Sequence, residues 1–216
     1  RTAVIDEPDQ PAAPLGGGSL TYREFGEHAA ALAAGLDALG VGVGERVAVV
    51  SHNSARLLVA FFGVCGWGRV LVPINFRLHP EEVRYIVEQS GATVLLVDPE
   101  LADAMADIEC AHRFVIGDES DAVLFKFDTE PRAWEPDEDA TATLNYTSGT
   151  TARPKGVDCT HRQLWMNAAV FGWQASVNDR DVYLHTLPMF HCNGWGQVFS
   201  VTGMGGTHVV LRKVDG

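Results

Sequence analysis

The fold class is decided by residues 46–97, RVAVVSHNSARLLVAFFGVCGWGRVLVPINFRLHPEEVRYIVEQSGATVLLV. Three β-branched runs in this stretch predict buried strands, at residues 46–50, 70–74 and 93–97. Between them lie a very apolar segment, 53–65, and a segment in which Pro80 suits the first turn of a helix, where its missing N–H costs nothing. Strands that alternate with helices are typical of parallel βαβ units.

The flanking sequence continues this alternation. Upstream, Thr21 and Glu24 form a capping box that opens a helix, whose apolar residues recur at spacings of three and four. Downstream we expect helices over residues 99–108, 160–175 and 196–203, and strands over residues 113–116, 141–147, 182–187 and 208–211. The sequence therefore predicts an α/β fold of open, mostly parallel β-sheets flanked by helices, with right-handed crossovers.

Composition narrows the function classes. The 216 residues carry a formal charge of −12, which disfavours a nucleic-acid partner because phosphate contacts need clustered Lys and Arg. Hydrophobic residues make up 46% of the chain, an ordinary globular share, and no apolar run is long enough for a transmembrane segment. Four scattered cysteines and the absence of a signal peptide predict reduced thiols and a cytoplasmic location.

An acidic stretch separates two structured parts. Residues 118–139 hold nine acidic and two basic residues and show no clear period, which predicts a solvated surface connection; an acidic docking arm for a basic partner is the alternative. We expect a first βα part over residues 1–117, the acidic connection over 118–140 and a third part over 141–216. Because both ends of the chain look cut, we also expect it to be a piece of a longer protein.

One loop carries a chemical signal. Residues 147–156, TSGTTARPKG, place four hydroxyls, two glycines and a lysine directly after a predicted strand. Hydroxyls and backbone N–H groups donate to phosphate oxygens, glycine lets the backbone approach, and a Lys ammonium adds positive charge. Lys155 lies between Pro154 and Gly156, so the Walker spacing fails and a nucleotide must be held differently from a P-loop. A flexible connection is the alternative that this mixture of residues disfavours.

The same residues resemble a known family. Residues 146–157, YTSGTTARPKGV, are similar to the signature of the adenylate-forming superfamily, which contains acyl-CoA synthetases, peptide-synthetase adenylation domains and luciferases. About 35 residues later, 187–195, LPMFHCNGW, resembles the acyl-pocket motif of the fatty acyl-CoA synthetase branch. The opening LTYREF and residues 209–212 also fit, so the resemblance covers essentially the whole chain and makes it part of a truncated N-terminal AMP-binding domain.

The resemblance implies a two-step ligase. A medium- or long-chain fatty acid would be adenylated with ATP and Mg²⁺, and coenzyme A would then displace AMP to give the thioester. An aryl-CoA ligase, or an adenylation domain that loads a carrier protein, is the alternative within the superfamily. A non-catalytic nucleotide-binding remnant is the alternative from another class. Relatives of the fatty branch often form homodimers, and nothing in this composition shows one.

The resemblance also assigns site residues, position by position. Its catalytic set is Lys155, Thr151 and His191. Its nucleotide contacts are Thr147, Ser148, Gly149, Thr150, Thr151, Lys155, Cys192 and Asn193. Its acyl contacts are His191, Gly194 and Trp195, with Trp195 as a gate, and Thr147 would help to hold Mg²⁺.

Some of these residues have alternative interpretations as structural or metal-binding residues. Trp195 could pack in a core, as most Trp residues do, and His191 could be a hydrogen-bonded structural histidine. A zinc site would need Cys159 with His161, or His185 with His191 and Cys192, but these spacings match no standard ligand pattern.

Two positions depart from the family pattern. Ala152 replaces the usual Gly, which would cost roughly 1 kcal/mol if that position needs positive φ, and Asp158 adds negative charge just past the loop.

The family's later motifs have no counterpart in this sequence. They supply the adenine pocket, the acidic Mg²⁺ ligand, the ribose aspartate and a C-terminal lysine. We therefore expect the isolated chain not to catalyse.

Overall fold

The computed structural model describes residues 1–147 and 153–213. The strands of this part of the chain are β1 Thr2–Ile5, β2 Ser19–Thr21, β3 Arg46–Val50, β4 Val70–Ile74, β5 Ala92–Val97, β6 His112–Val115, β7 Thr141–Thr147, β8 Lys155–Thr160, β9 Val182–His185 and β10 Thr207–Val210. The helices are α1 Tyr22–Ala38, α2 Ala55–Cys65, α3 Pro80–Ser90, α4 Asp118–Leu124, α5 His161–Gln174, α6 Cys192–Trp195 and α7 Gln197–Gly203. None of these helices has the length and apolarity needed to cross a membrane.

The larger sheet is the one that residues 46–97 predict. Its order is β6-β5-β3-β4-β7-β8, and every neighbouring pair is parallel except the edge pair β7–β8. Two predicted helix starts are also confirmed: Thr21 and Glu24 form the capping box of α1, and Pro80 begins α3. The predicted α/β class with mostly parallel sheets is thus confirmed.

A smaller sheet joins the two ends of the sequence. Its order is β2-β1-β10-β9, in which β10 lies parallel between β1 and β9 while β2 pairs antiparallel with β1. Strands from both predicted parts, 1–117 and 141–216, therefore contribute to each sheet. The boundaries at 117 and 140 stay a prediction.

The interior lies on both faces of the larger sheet. Alternate residues of a strand point to opposite faces, and in β3 both sets are buried. Val47 and Val49 pack in a core with α1, α2 and the smaller sheet, whereas Ala48 and Val50 pack in a core with α3. Because helices cover both faces, residues 47–50 are all apolar and do not alternate with polar residues.

The sequence of the acidic stretch predicts a solvated connection, but in the structure this stretch begins with a helix. This helix is α4, which packs on α1. Buried Arg56 donates to both carboxylate oxygens of Asp121, with its Nη2 2.6 Å from Oδ2. The Lys126 N–H donates to the Ala31 carbonyl. These contacts reach across long sequence separations, so no local period announces the helix.

Two further expectations need correction. Residues 99–108 do not form a regular helix: a 3₁₀ turn, Pro99–Leu101, is followed by tight turns that bury Met105 and Ile108. The Asp98 carboxylate accepts the N–H of Glu100, which fixes this tight start. Strand β8 is not predicted from the sequence. It lies directly before α5, and it forms because Lys155–Thr160 pairs with β7.

The two sheets meet at a buried ion pair. Asp98, directly after β5, is 1% exposed and accepts hydrogen bonds from both terminal nitrogens of Arg212, at 2.6 and 3.0 Å. Arg212 follows β10 closely in the chain. The Asp98 carboxylate also accepts from the Ser51 hydroxyl and the His52 N–H, both just after β3. This cluster joins the carboxyl ends of strands from both sheets.

We predict that Gly35→Ala weakens the docking of α4. A Cβ at Gly35 would lie 1.9 Å from the carbonyl oxygen of Leu124, so the backbones of α1 and α4 would have to separate. The free energy of unfolding should fall by about 1–3 kcal/mol, measured by urea titration. Gly26→Ala, in the same helix with nothing near its Cβ, is the matched control and should raise it by roughly 0.5–1 kcal/mol. Equal stability of the two variants would contradict the close approach.

Candidate functional site

The phosphate-type loop connects two antiparallel strands. Thr147 at the end of β7 pairs with Lys155 at the start of β8, so these two residues of the loop lie side by side. Both residues are exposed, and the Lys155 side chain makes no hydrogen bond or ion pair with another described residue. The predicted contacts Ser148, Gly149, Thr150 and Thr151, and the departure at Ala152, lie outside the described residues.

A cavity of about 270 Å³ brings the two sequence motifs together. Thr147, Arg153 and Pro154 line it from the hairpin, and Phe190 and His191 line it from the acyl-type motif. Its remaining walls come from the segment after β4, from α3 and from β7: Asn75, Leu78, Glu82, Ile86 and Tyr146. Residues that lie far apart in the sequence thus line one concave site, and of the predicted site residues Thr147 and His191 are among them.

Arg153, to which the resemblance assigns no role, also lines this cavity. Its guanidinium carbon lies 5.4 Å from the centre of the Tyr85 ring on α3, a cation–π distance. Arg153 therefore adds a second cation beside Lys155 at the hairpin. Only the general enrichment of the loop in phosphate-binding residues could have suggested it.

The acyl-type motif contains a left-handed helical turn. In five consecutive residues φ is positive: Cys192 (47°), Asn193 (52°), Gly194 (62°), Trp195 (58°) and Gly196 (73°). The left-handed conformation costs an ordinary residue roughly 1–2 kcal/mol, and only Gly and Asn adopt it readily. Cys192 and Trp195 are therefore held under strain, a feature that clusters at functional sites.

Two buried asparagines hold this motif in place. Asn53, just after β3, donates to the carbonyls of His185 and Leu187 and accepts from the Met189 N–H. Asn193, within the turn, donates to Thr143 and accepts from Asn145, both on β7. The resemblance placed Asn193 beside a nucleotide; the structure shows its side chain 3% exposed and engaged with β7.

Of the other predicted acyl-side residues, Gly194 is buried and the rest are accessible. His191 and Cys192 are exposed, with the Cys192 Sγ 3.8 Å from the His191 Nε2. Trp195 is 60% exposed and so does not pack in the core. Its role as a gate stays a prediction, as do the nucleotide contact of Cys192 and the acyl contact of Gly194.

A second cavity is apolar. It has a volume of about 470 Å³ and lies between α2, α5 and α7. Phe61, Phe62 and Leu164 contribute to its walls, together with Phe199, which lies four residues after Trp195 in the chain. A cavity of this size and lining can hold an aliphatic or aromatic group.

Beneath the turn lies a buried pair of histidines in the smaller sheet. The Thr202 hydroxyl donates to the Val198 carbonyl, so it accepts from His208 Nε2 at 2.8 Å. His208 Nδ1 is then the acceptor for His185 Nε2–H, also at 2.8 Å. Burial lowers the pKa of His185 to about 3 and that of His208 to about 4. Both rings are therefore neutral at neutral pH.

The described residues do not by themselves make a magnesium site. Among residues 1–147 and 153–213, no group of three or more His, Cys, Asp or Glu side chains is placed to hold a metal. Thr147 offers one neutral hydroxyl, whereas Mg²⁺ prefers carboxylates together with substrate phosphates. The contact of Thr147 with Mg²⁺ stays a prediction.

Comparison with known proteins agrees with the two motifs and the fold. A family model described as AMP-binding enzyme matches residues 1–216, and the chain belongs to that family.

Three relatives illustrate its range. A long-chain-fatty-acid–CoA ligase of Thermus thermophilus is 37% identical over 88% of this chain, and a feruloyl-CoA synthase of an Amycolatopsis species is 36% identical over 95%. The structure of a long-chain-fatty-acid-CoA ligase from Archaeoglobus fulgidus covers the whole chain with a TM-score of 0.86 and 28% identity. The chain spans 37%, 41% and 44% of the lengths of these three proteins, respectively.

The buried histidine pair generates a pH prediction. Both rings have an ordinary pKa near 6.5 in the unfolded chain, so between about pH 4 and 6.5 the unfolded state binds more protons than the folded state. The free energy of unfolding should therefore fall as the pH is lowered across this window, by about 1.4 kcal/mol per pH unit for each histidine. Urea titrations at a series of pH values measure the slope.

Two variants test whether the buried histidine pair causes this pH dependence. His208→Gln removes one titrating ring and should make the slope shallower by about one histidine's share. Thr202→Val removes a hydrogen-bond partner without removing a titrating group, so it should lower stability and leave the slope nearly unchanged. An unchanged slope in His208→Gln would show that other groups cause the acid sensitivity.

Proposed function

We propose that the protein containing this chain is an AMP-forming acyl-CoA synthetase that acts on medium- or long-chain fatty acids. The observation that carries the proposal is the 270 Å³ cavity in which the hairpin and the acyl-type motif face each other. The family relationship and the CoA ligases among the relatives support the same reaction class.

The proposed reaction has two steps. A carboxylate oxygen of the acid bonds to the α-phosphorus of ATP, and pyrophosphate leaves to give an acyl-adenylate. The thiol sulfur of coenzyme A then bonds to the acyl carbon, its proton is lost, and AMP leaves. The protein must bring two anions together in the first step, so positive groups and N–H donors at the phosphates are its main contribution.

We assign roles to the residues on that basis. Lys155 and Arg153 supply positive charge to the phosphates, and Thr147 supplies a hydroxyl. His191, which lines the same cavity, contacts the carboxylate where it meets the nucleotide. Thr151 completes the catalytic set and lies outside the described residues. Trp195, exposed beside His191, borders the path of the acyl chain.

The apolar cavity between α2, α5 and α7 supports an extended apolar substrate. Its 470 Å³ could hold part of an aliphatic chain. The feruloyl-CoA synthase, 36% identical to this chain, favours an aromatic acid as the second candidate. Both acids enter the same adenylation step, so one assay separates them.

We predict carboxylate-dependent ATP–pyrophosphate exchange by the longest natural polypeptide that contains this sequence. Butyrate, decanoate, palmitate and ferulate form the panel, and decanoate or palmitate should give the fastest exchange. Lys155→Ala should lower the rate roughly 100-fold, because it removes a charge at the developing anion. Lys126→Ala is the matched control and should leave the rate unchanged, because this half-buried lysine lies just after α4, donates to the Ala122 carbonyl and does not line the cavity.

The other outcomes are informative. Exchange with ferulate alone would establish the aryl ligase. No exchange with any acid, by a protein that still binds ATP, would refute the synthetase and favour a non-catalytic nucleotide-binding protein.

A further inference from the structure

Three side chains form a closed ring of hydrogen bonds between the hairpin and the acyl-type motif. The Thr143 hydroxyl donates to Asn145 Oδ1 at 2.9 Å, and Asn145 Nδ2 donates to Asn193 Oδ1 at 2.9 Å. Asn193 Nδ2 closes the ring on the Thr143 oxygen at 3.2 Å. Thr143 is fully buried and Asn193 is 3% exposed, so water does not compete at either residue.

The ring joins two segments that share no other polar connection among the described residues. Thr143 and Asn145 are alternate residues of β7 and point to the same face, shortly before the loop begins at Thr147. Asn193 belongs to the left-handed turn that follows His191. In the described part of the chain, no backbone hydrogen bond joins β7 to residues 191–196, because the ladder of β7 is occupied by β4 and β8.

Asparagine is suited to this position on two counts. Its φ of 52° lies in the left-handed region, which Asn tolerates and most residues do not. Its carboxamide can donate and accept at once, as the ring requires. Glycine would satisfy the backbone and lose the ring, whereas aspartate would lose the donor and bury a charge.

We propose that Asn193 is a positioning residue, which through Thr143 and Asn145 fixes the acyl-type turn relative to the phosphate-loop strand. It aligns the acid with the nucleotide without touching either. This inference rests on the proposed function, and it gives Asn193 a different role from the nucleotide contact that the resemblance implies.

Kinetics of the longest natural polypeptide containing this sequence test the proposal. Asn193→Gly keeps the left-handed turn and removes the ring; Thr143→Val removes the hydroxyl with similar shape. Each should lower kcat for ATP–pyrophosphate exchange about tenfold or more, with KM for ATP changed less than about twofold, because alignment is lost while nucleotide binding is kept. Thr143→Ser retains the hydroxyl and should restore most of the rate.

The double variant shows whether the two residues act as one unit. Asn193→Gly combined with Thr143→Val should be no slower than the slower single variant, since both remove the same ring. Thr141→Val, on the same strand outside the ring, is the matched control and should behave like the wild type. Multiplicative loss in the double variant, or a raised KM for ATP with unchanged kcat, would overturn the proposal.

Hydrogen exchange provides a readout that needs no activity. The Gly194 and Gly196 N–H groups donate within the turn, to the carbonyls of His191 and Cys192. Both should exchange about tenfold faster in Thr143→Val than in the wild type or in Thr141→Val. Unchanged exchange would overturn the proposal. If the wild type adenylates no acid, the proposed function fails while this measurement still tests the ring.

Discussion

The arrangement of this molecule depends on the buried ion pair between Asp98 and Arg212. Asp98 follows a strand of the larger sheet and Arg212 follows a strand of the smaller one, and a bidentate contact at 2.6 and 3.0 Å joins them. Desolvation offsets most of the attraction in such a pair, so its net stabilisation is small. Losing one partner, however, would leave a buried charge at a cost of about 3–5 kcal/mol. The pair therefore fixes where the sheets meet more than it stabilises either one.

That junction explains why the site lies where it does. The hairpin loop follows the carboxyl end of β7, and the acyl-type motif follows the carboxyl end of β9. Ligands of parallel α/β folds bind at the carboxyl ends of strands, and here two sheets present those ends to each other. Asn53 adds a direct connection, since it follows β3 in the larger sheet and holds residues that follow β9 in the smaller sheet. The cavity shared by Thr147 and His191 results from this placement.

The left-handed turn shows how the fold sustains local strain. Cys192 and Trp195 adopt a conformation that their side chains disfavour, and both are exposed. The strain is offset by hydrogen bonds that hold the turn in place, chiefly those between Asn193 and β7.

Local sequence determined the elements whose signals are contained within a few residues. The apolar runs of β3, β4 and β5, the capping box at Thr21 and Pro80 at the start of α3 all rest on short-range chemistry. The two motifs that define the family are also contiguous, so the residues alone indicate their chemistry. Only the tertiary structure decided which distant segments meet: α4 against Gly35, β1 beside β10, His185 against His208 and Asn193 against Thr143. These contacts depend on packing between residues far apart in the chain, and no periodicity or spacing in the sequence encodes a distance of that kind.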